Sequence, residues 1–221
     1  METKTLVVGP IATDCYILTE DSHCVVIDPG DEGGRILEAV GATGTTVEAI
    51  LLTHGHFDHA EAAAFLQEKT GAPVFFGQGD EMLVRNPDIM KKWMPANAEL
   101  PPGLRNWLET KSRVPADIRP LHEGDELRLG ETVLRVWETP GHARGGLTYV
   151  ATGLGQESPT VFCGDLVFQG RIASTQNPGA DQDLLVRSVK RVLALPDDTR
   201  IFPGHGPSTT VGEEKAVNPF L

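Results

Sequence analysis

The sequence predicts an α/β protein in which two β-sheets pack face to face with helices on their outer surfaces. Three observations carry that expectation. Short strand-like runs alternate with helical stretches, and the style repeats in the second half of the chain. Turn formers are frequent, with 24 Gly and 16 Pro in 221 residues, which suits a fold built from short elements. Forty per cent hydrophobic residues is enough to fill a core at this length, and 23% charged residues is ordinary for a globular chain. Residues 1–221 are expected to form one domain, interrupted at about 86–115.

Residues 6–8, 15–18 and 24–27 read as short strands, separated by the turn signals Gly9-Pro10 and Glu20-Asp21-Ser22. Asp28-Pro29-Gly30-Asp31 ends the third strand, and 35–40 resembles a helix with Ile36, Leu37 and Val40 on one side. The run 47–52 is apolar except for Glu48, the pattern of a strand buried on both faces. An Ala-rich helix without Gly or Pro is expected over about 58–69, then a strand at 74–76 and a helix near 80–85. In the second half, 126–129 and 132–137 read as a hairpin across Gly130-Glu131, and 147–151 and 160–163 as two more strands. The spacing of Leu184, Leu185, Val189, Val192 and Leu193 predicts a helix over 183–195, and 201–202 is a last short strand.

The interruption carries Pro87, Pro95, Pro101, Pro102 and Pro115, which exclude a long helix. It also holds Trp93 and Trp107, with Met90 and Met94. A loop with short helical pieces is expected, acting as a lid, packing its own small core, or serving as an oligomer contact.

Nineteen Lys and Arg against 31 Asp and Glu give a net charge of −12, which argues against nucleic acid and anionic membrane surfaces as partners. The N-terminus has no secretory pattern, and no stretch of about eighteen apolar residues exists to span a membrane. The three cysteines, Cys15, Cys24 and Cys163, are odd in number, widely spaced and outside any C-x-x-C pattern. They are expected to be buried free thiols of a cytoplasmic protein.

The chemistry is concentrated in the histidines. Three of seven fall in Thr53-His54-Gly55-His56-Phe57-Asp58-His59, between the buried strand and the Ala-rich helix. A strand's carboxyl end is the usual ligand site in α/β architectures. His54 and His56 are two apart in an extended turn and can converge on one ion, while Asp58 and His59 at the helix start can face a second. Imidazoles with a carboxylate suit zinc, iron or manganese rather than calcium or magnesium. His142, Asp165 and His205 each follow a glycine in a turn that presents a side chain: Pro140-Gly141-His142, Cys163-Gly164-Asp165 and Pro203-Gly204-His205. His23 and His122 read as exposed turn histidines. Asp28 is a candidate to orient a ligand imidazole, and Arg144, Arg171 and Lys215 are candidate anchors for an anionic substrate.

These residues resemble the signature of the metallo-β-lactamase superfamily, T-H-x-H-x-D-H followed downstream by a His, an Asp and a His. The similarity runs from Val25-Val26-Ile27-Asp28-Pro29-Gly30 to His205. Within that superfamily the chain is most similar to the glyoxalase II group (hydroxyacylglutathione hydrolases), in its short bacterial form, with a tail like Thr209–Lys215 and Asn218-Pro219-Phe220-Leu221. The resemblance implies a four-layer αββα sandwich with a dinuclear site between the sheet edges. It implies that His54, His56 and His142 hold a first metal, that Asp58, His59 and His205 hold a second, and that Asp165 bridges them. Two divalent ions are implied, zinc foremost with iron or manganese as alternatives, and Asp58 and Asp165 are the carboxylates implied in catalysis. The chain departs from true glyoxalase II enzymes in its length, since only sixteen residues follow His205 where those carry a helical glutathione-gripping domain. It departs also at Gly170-Arg171, followed by Ile172-Ala173-Ser174-Thr175-Gln176 where relatives often read G-R-T-D, and at Glu61, where small residues are usual.

The expected function is hydrolysis of a small, anionic acyl thioester by a metal-activated hydroxide. A thiolate, with a thiol pKa near 8.5, leaves without a dedicated general acid. Other activities on this fold are persulfide dioxygenation with one iron held by two histidines and an aspartate, phosphodiester cleavage and lactone hydrolysis. The absent G-R-T-D weighs against the first, and the charge of −12 weighs against a nuclease. A non-enzymatic metal-binding protein ranks below these, because all seven ligand positions are filled. Nothing in the sequence sets the oligomeric state.

Overall fold

A computed structural model describes residues 1–93, 103–153 and 157–221. In chain order it holds strands β1 (Glu2–Val8), β2 (Thr13–Glu20) and β3 (His23–Ile27), helix α1 (Gly33–Gly41), strand β4 (Thr46–Leu51), helices α2 (Phe57–Ala60) and α3 (Ala63–Thr70), and strand β5 (Val74–Gly77). Helices α4 (Glu81–Arg85), α5 (Asp88–Lys91) and α6 (Leu104–Glu109) follow, then strands β6 (Ile118–Leu121), β7 (Glu126–Leu129), β8 (Thr132–Glu138), β9 (Leu147–Thr152) and β10 (Thr160–Gly164). A small ribbon of β11 (Val167–Phe168) and β12 (Arg171–Ile172) precedes helix α7 (Gln182–Leu193), strands β13 (Arg200–Pro203) and β14 (Thr209–Thr210), and helix α8 (Val211–Val217).

One six-stranded sheet has the order β1-β2-β3-β4-β5-β6, and the other β14-β13-β10-β9-β8-β7. The layering follows from strands that are apolar on both faces, because successive side chains point to opposite sides. In β2, Cys15 and Ile17 face α1 and α3, packing with Ile36, Val40, Ala63 and Leu66. Their neighbours Tyr16 and Leu18 face the second sheet, against Leu134, Val136, Tyr149 and Phe162. Strand β3 repeats the pattern, with Cys24 and Val26 outward and Val25 and Ile27 inward. The outer face of the second sheet, with Val150, Val161 and Ile201, is covered by Leu185, Val189 and Val192 of α7. The result is the four-layer αββα sandwich. Buried hydroxyls fasten the two sheets near the site, since Tyr149 Oη donates to the Leu52 carbonyl (2.7 Å) and Tyr16 Oη to that of Pro203 (2.5 Å). The three cysteines are free and buried.

The structure departs from the expected elements at defined places. The helix expected over 58–69 is two helices, because the Ala62 amide leaves the helical ladder to donate to the Pro29 carbonyl (2.9 Å). This break lets α2 present Asp58 and His59 independently of α3. Strands β6, β11, β12 and β14 and helix α8 were not expected. Helix α8 is closed by a capping box in which Thr210 Oγ1 accepts from the Glu213 amide and the Glu213 carboxylate accepts from the Thr210 amide.

Within 86–115 the described part contains α5 and α6, and Met94, Pro95, Pro101 and Pro102 lie outside the described residues. Met90, Trp93, Trp107 and Leu108 pack with Phe57 and Leu83 in a small apolar cluster, with the Phe57 and Trp107 ring centroids 4.9 Å apart. Glu61, the departure noted above, ties this segment down. Its carboxylate accepts from Ser112 Oγ (2.6 Å) and pairs with Lys91 Nζ (3.3 Å), whose side chain is only 5% exposed.

Candidate metal centre

The seven residues singled out in the sequence come from four separate segments, and all meet in one cleft at the sheet edges. His54, His56, Asp58 and His59 follow β4 as a loop entering α2. His142 follows β8, Asp165 follows β10, and His205 follows β13. Their ligand atoms fall into three overlapping groups, each within 4.8 Å of one another: His54, His56 and His142; His54, His59 and Asp165; and Asp58, His59 and His205. Asp165 stands between the outer two groups. Its Oδ1 lies 3.5 Å from His59 Nε2 and 3.6 Å from His205 Nε2, while its Oδ2 lies 3.6 Å from His142 Nε2.

Four of the five rings are turned by a partner on the far nitrogen. His59 Nδ1 donates to Asp28 Oδ2 (2.9 Å), His142 Nδ1 to the Ser174 carbonyl (2.8 Å) and His205 Nδ1 to the Ala12 carbonyl (3.1 Å). His54 Nδ1 meets Thr53 Oγ1 (3.1 Å), whose own proton goes to Asp28 Oδ2 (2.6 Å). These bonds leave Nε2 of all four rings facing the cleft, whereas His56 offers Nδ1, 3.1 Å from His142 Nε2. Asp28, 0% exposed, therefore orients two of the rings, one directly and one through Thr53, and also accepts from the Thr53 amide (2.7 Å).

Close approach depends on two glycines. A Cβ on Gly204 would lie 2.2 Å from Asp165 Oδ1, and one on Gly164, at φ +51°, would lie 2.1 Å from Thr53 Oγ1. Asp80 was not expected here, yet its buried carboxylate accepts from the Gly55 amide (2.8 Å) and the Gly145 amide (2.8 Å). It thereby joins the loop bearing His54 and His56 to the loop after His142. Thr53 stood in the sequence motif itself, but nothing in the sequence flagged Asp80, Ser174 or Ala12.

A metal fits this donor set. His54 Nε2, His59 Nε2 and Asp165 Oδ1 are buried without a hydrogen-bond partner among the described residues, an arrangement costly to leave unmet. Burial, reinforced by neighbouring imidazoles, holds His54 neutral, well below the usual histidine range, and lowers His56 to about 3. Their lone pairs are thus free for a cation. His59 is the reverse: burial opposes its charge, but Asp58, Asp28 and Asp165 outweigh that and push it up to about 10. Without a metal, a proton on His59 supplies the positive charge that the carboxylates require.

This opposition has a pH signature in metal-free protein. The His59 contribution to stability is complete below its unfolded value near 6.5 and is lost as pH rises through about 10. The contribution of His54 and His56 is present above 6.5 and is lost as pH falls, for His56 through about 3. Asp14, raised by burial to about 6, offsets part of the acid loss, since it favours the folded state as it gains a proton. Chelator-treated protein should therefore be most heat-stable near pH 6.5, and thermal melts across a pH series check this. A profile rising steadily through that value would contradict the protonation pattern.

The cleft above the ligands is a cavity of about 270 Å³, lined by His56, Asp58, His142, Asp165 and His205 below and by Met90, Trp93 and Leu104 of the 86–115 segment above. Other candidates lie elsewhere. His23 pairs with Glu48, and His122 is exposed near Glu138. Arg171 stacks on Phe168, 4.3 Å from the ring centroid, and Lys215 pairs with Asp197 at 2.7 Å. Among the described residues, no helix is long and apolar enough to cross a membrane.

A two-sheet sandwich with histidines and aspartates gathered from its loop ends defines a class of metal-dependent hydrolase scaffold. The profile of the Metallo-beta-lactamase superfamily matches residues 8–205, and the chain belongs to that superfamily. It is 38% identical to the probable metallo-hydrolase YqgX of Bacillus subtilis, over all of this chain and 98% of that one. It is 30% identical to the hydroxyacylglutathione hydrolase GloC of Haemophilus influenzae, over all of this chain and 98% of that one. Among solved structures, TTHA1623 in a di-iron-bound form superposes with a TM-score of 0.82, at 37% identity, covering 99% of this chain and 100% of that one.

Proposed function

We propose that the protein hydrolyses small, anionic acyl thioesters, using two divalent ions, zinc foremost. His54, His56 and His142 would hold one ion, Asp58, His59 and His205 the other, and Asp165 would bridge them. The observation that carries this reading is the placement of Asp165, whose two carboxylate oxygens face the two histidine groups. The 30% identity to a hydroxyacylglutathione hydrolase supports a thioester as the substrate class. When bound, such ions supply an acidified water as nucleophile and a Lewis acid for the carbonyl.

The protein's own residues supply the positioning. Asp28, Ser174 and Ala12 fix the ring orientations, so little reorganisation is needed at the moment of reaction. Asp58, held well below the ordinary carboxylate range by His59 and His205 against the opposing effect of burial, stays ionised beside the reacting centre. Met90, Trp93 and Leu104 exclude water from one side of the cleft. The departing thiolate needs no proton donor, and no buried acid beside Asp165 is assigned that role. Three buried free thiols support a cytoplasmic setting, and the charge of −12 supports a small molecule over nucleic acid as partner.

The test is turnover of S-lactoylglutathione by metal-replete protein, with elemental analysis of the same sample. Hydrolysis with close to two metal equivalents per chain is expected. One iron per chain, with oxygen consumed on glutathione persulfide and no thioester cleaved, would replace this reading with the dioxygenase one. The di-iron form of TTHA1623 keeps iron among the metals to be counted.

A further inference from the structure

A second cavity, of about 250 Å³, adjoins the one above the ligands. His56 and Trp93 line both, so the two are compartments of one cleft. The second is walled by Met82, Leu83 and Pro178, with Arg144 and Gly179 on its border. It contains no expected metal ligand other than His56.

Arg144 is placed there by backbone packing. Its carbonyl lies against Gly79, where a Cβ would come within 2.5 Å of it, and its Nε lies 3.1 Å from the position of a Cβ on Gly179. The side chain thus runs over a glycine, and the residue remains exposed. Of the three cationic residues considered as anchors, Arg171 is stacked and Lys215 is paired, whereas Arg144 has no ion pair or side-chain hydrogen bond among the described residues. Asp80 lines the same compartment, but it is 2% exposed and each carboxylate oxygen already accepts from a backbone amide. Its charge opposes an anion there and is felt by Arg144: burial raises the Asp80 carboxyl, while the two amide bonds and Arg144 among other groups lower it.

We infer that this compartment receives the thiol half of the substrate and that Arg144 binds an anionic group on it, a carboxylate or a phosphate. The inference rests on the thioester reading. The reacting carbonyl and a small acyl group need only the compartment above the ligands, so the longer thiol half extends past His56 and Trp93. A guanidinium at the end of an apolar channel recognises an anion by a forked pair of hydrogen bonds, while Met82, Leu83 and Pro178 cover the intervening chain. Arg144 is then a specificity-determining residue that takes no part in bond cleavage.

Calorimetry on metal-loaded protein tests this without turnover, using thioethers that cannot be hydrolysed: S-methylglutathione, its bis-amide, and S-methyl-coenzyme A. Arg144→Gln should weaken binding of the preferred anionic thioether about tenfold and leave the bis-amide as weakly bound as before. Arg144→Lys should recover part of the loss. Tighter binding of S-methylglutathione identifies a carboxylate, and tighter binding of the coenzyme A thioether a phosphate. Equal binding of acid and bis-amide, or no effect of Arg144→Gln, overturns the inference. Arg144-dependent binding in a protein that cleaves no thioester would keep the anion compartment and remove the proposed hydrolysis.

Discussion

Asp165→Ala should reduce thioester hydrolysis by at least about a hundredfold and lower the bound metal, with the fold intact. Loss of a residue that merely supports a ligand already costs up to about a hundredfold in affinity or activity, and Asp165 faces both histidine groups directly. His56→Ala should behave alike, since it removes the Nδ1 that meets His142. Neither side chain supports the scaffold: among the described residues Asp165 Oδ1 has no hydrogen-bond partner, and the hydrogen bond of the His56 ring is to another ring of the site. Far-ultraviolet circular dichroism should therefore match the parent, while elemental analysis and S-lactoylglutathione turnover fall together. Full activity in both variants would remove these residues from the centre.

Asp28→Ala is expected to damage both stability and metal binding. The carboxylate is fully buried and accepts from the Thr53 amide, Thr53 Oγ1 and His59 Nδ1. Alanine strands three donors, each a loss of roughly 1–3 kcal/mol, so a destabilisation of about 3–5 kcal/mol follows after partial relaxation. It also releases the rotation of His59 directly and of His54 through Thr53, one ring in each metal group. Affinity for metal should fall about 10- to 100-fold. Asp28 sits at φ +51°, a conformation that Asn adopts readily, so Asp28→Asn separates the two effects. It should retain more stability yet still lose metal affinity, because its amide cannot accept from all three donors. Denaturant melts and chelator competition read the two quantities apart, and an Asp28→Ala protein that melts and binds metal like the parent would contradict this account.

Much of the scaffold was legible because its strands are apolar on both faces. Residues 24–27, 47–52 and 160–163 announce burial from either side, and only a layered fold offers that. The signal failed where strands lie at an edge or carry polar residues. Strand β1 begins at Glu2 rather than at residue 6, since Thr3, Lys4 and Thr5 lie on an edge strand that needs no apolar alternation. Strand β6 contains Arg119 and Pro120 and is likewise at a sheet edge, where a proline costs no ladder bond on its free side. The break between α2 and α3 has no sequence mark, because the carbonyl that captures the Ala62 amide belongs to Pro29, far back in the chain. Helix α8 was readable in principle from Thr210 and Glu213, whose spacing is that of a capping box.

The candidate centre divides in the same way. Spacing within Thr53–His59, and single residues after glycine at 142, 165 and 205, are local features that identify imidazole and carboxylate donors and so the kind of ion they suit. Which nitrogen of each ring faces the cleft is not local. It is set by Asp28, Ser174 and Ala12, and for His205 the partner lies 193 residues away. The same holds for Asp80, which joins loops at Gly55 and Gly145, and for the pairing of Arg144 with the cleft through Gly79 and Gly179. Donor chemistry is a property of side chains and can be read along the chain. Donor direction is a property of backbone carbonyls and packed loops, which exist as neighbours only once the two sheets have closed on each other.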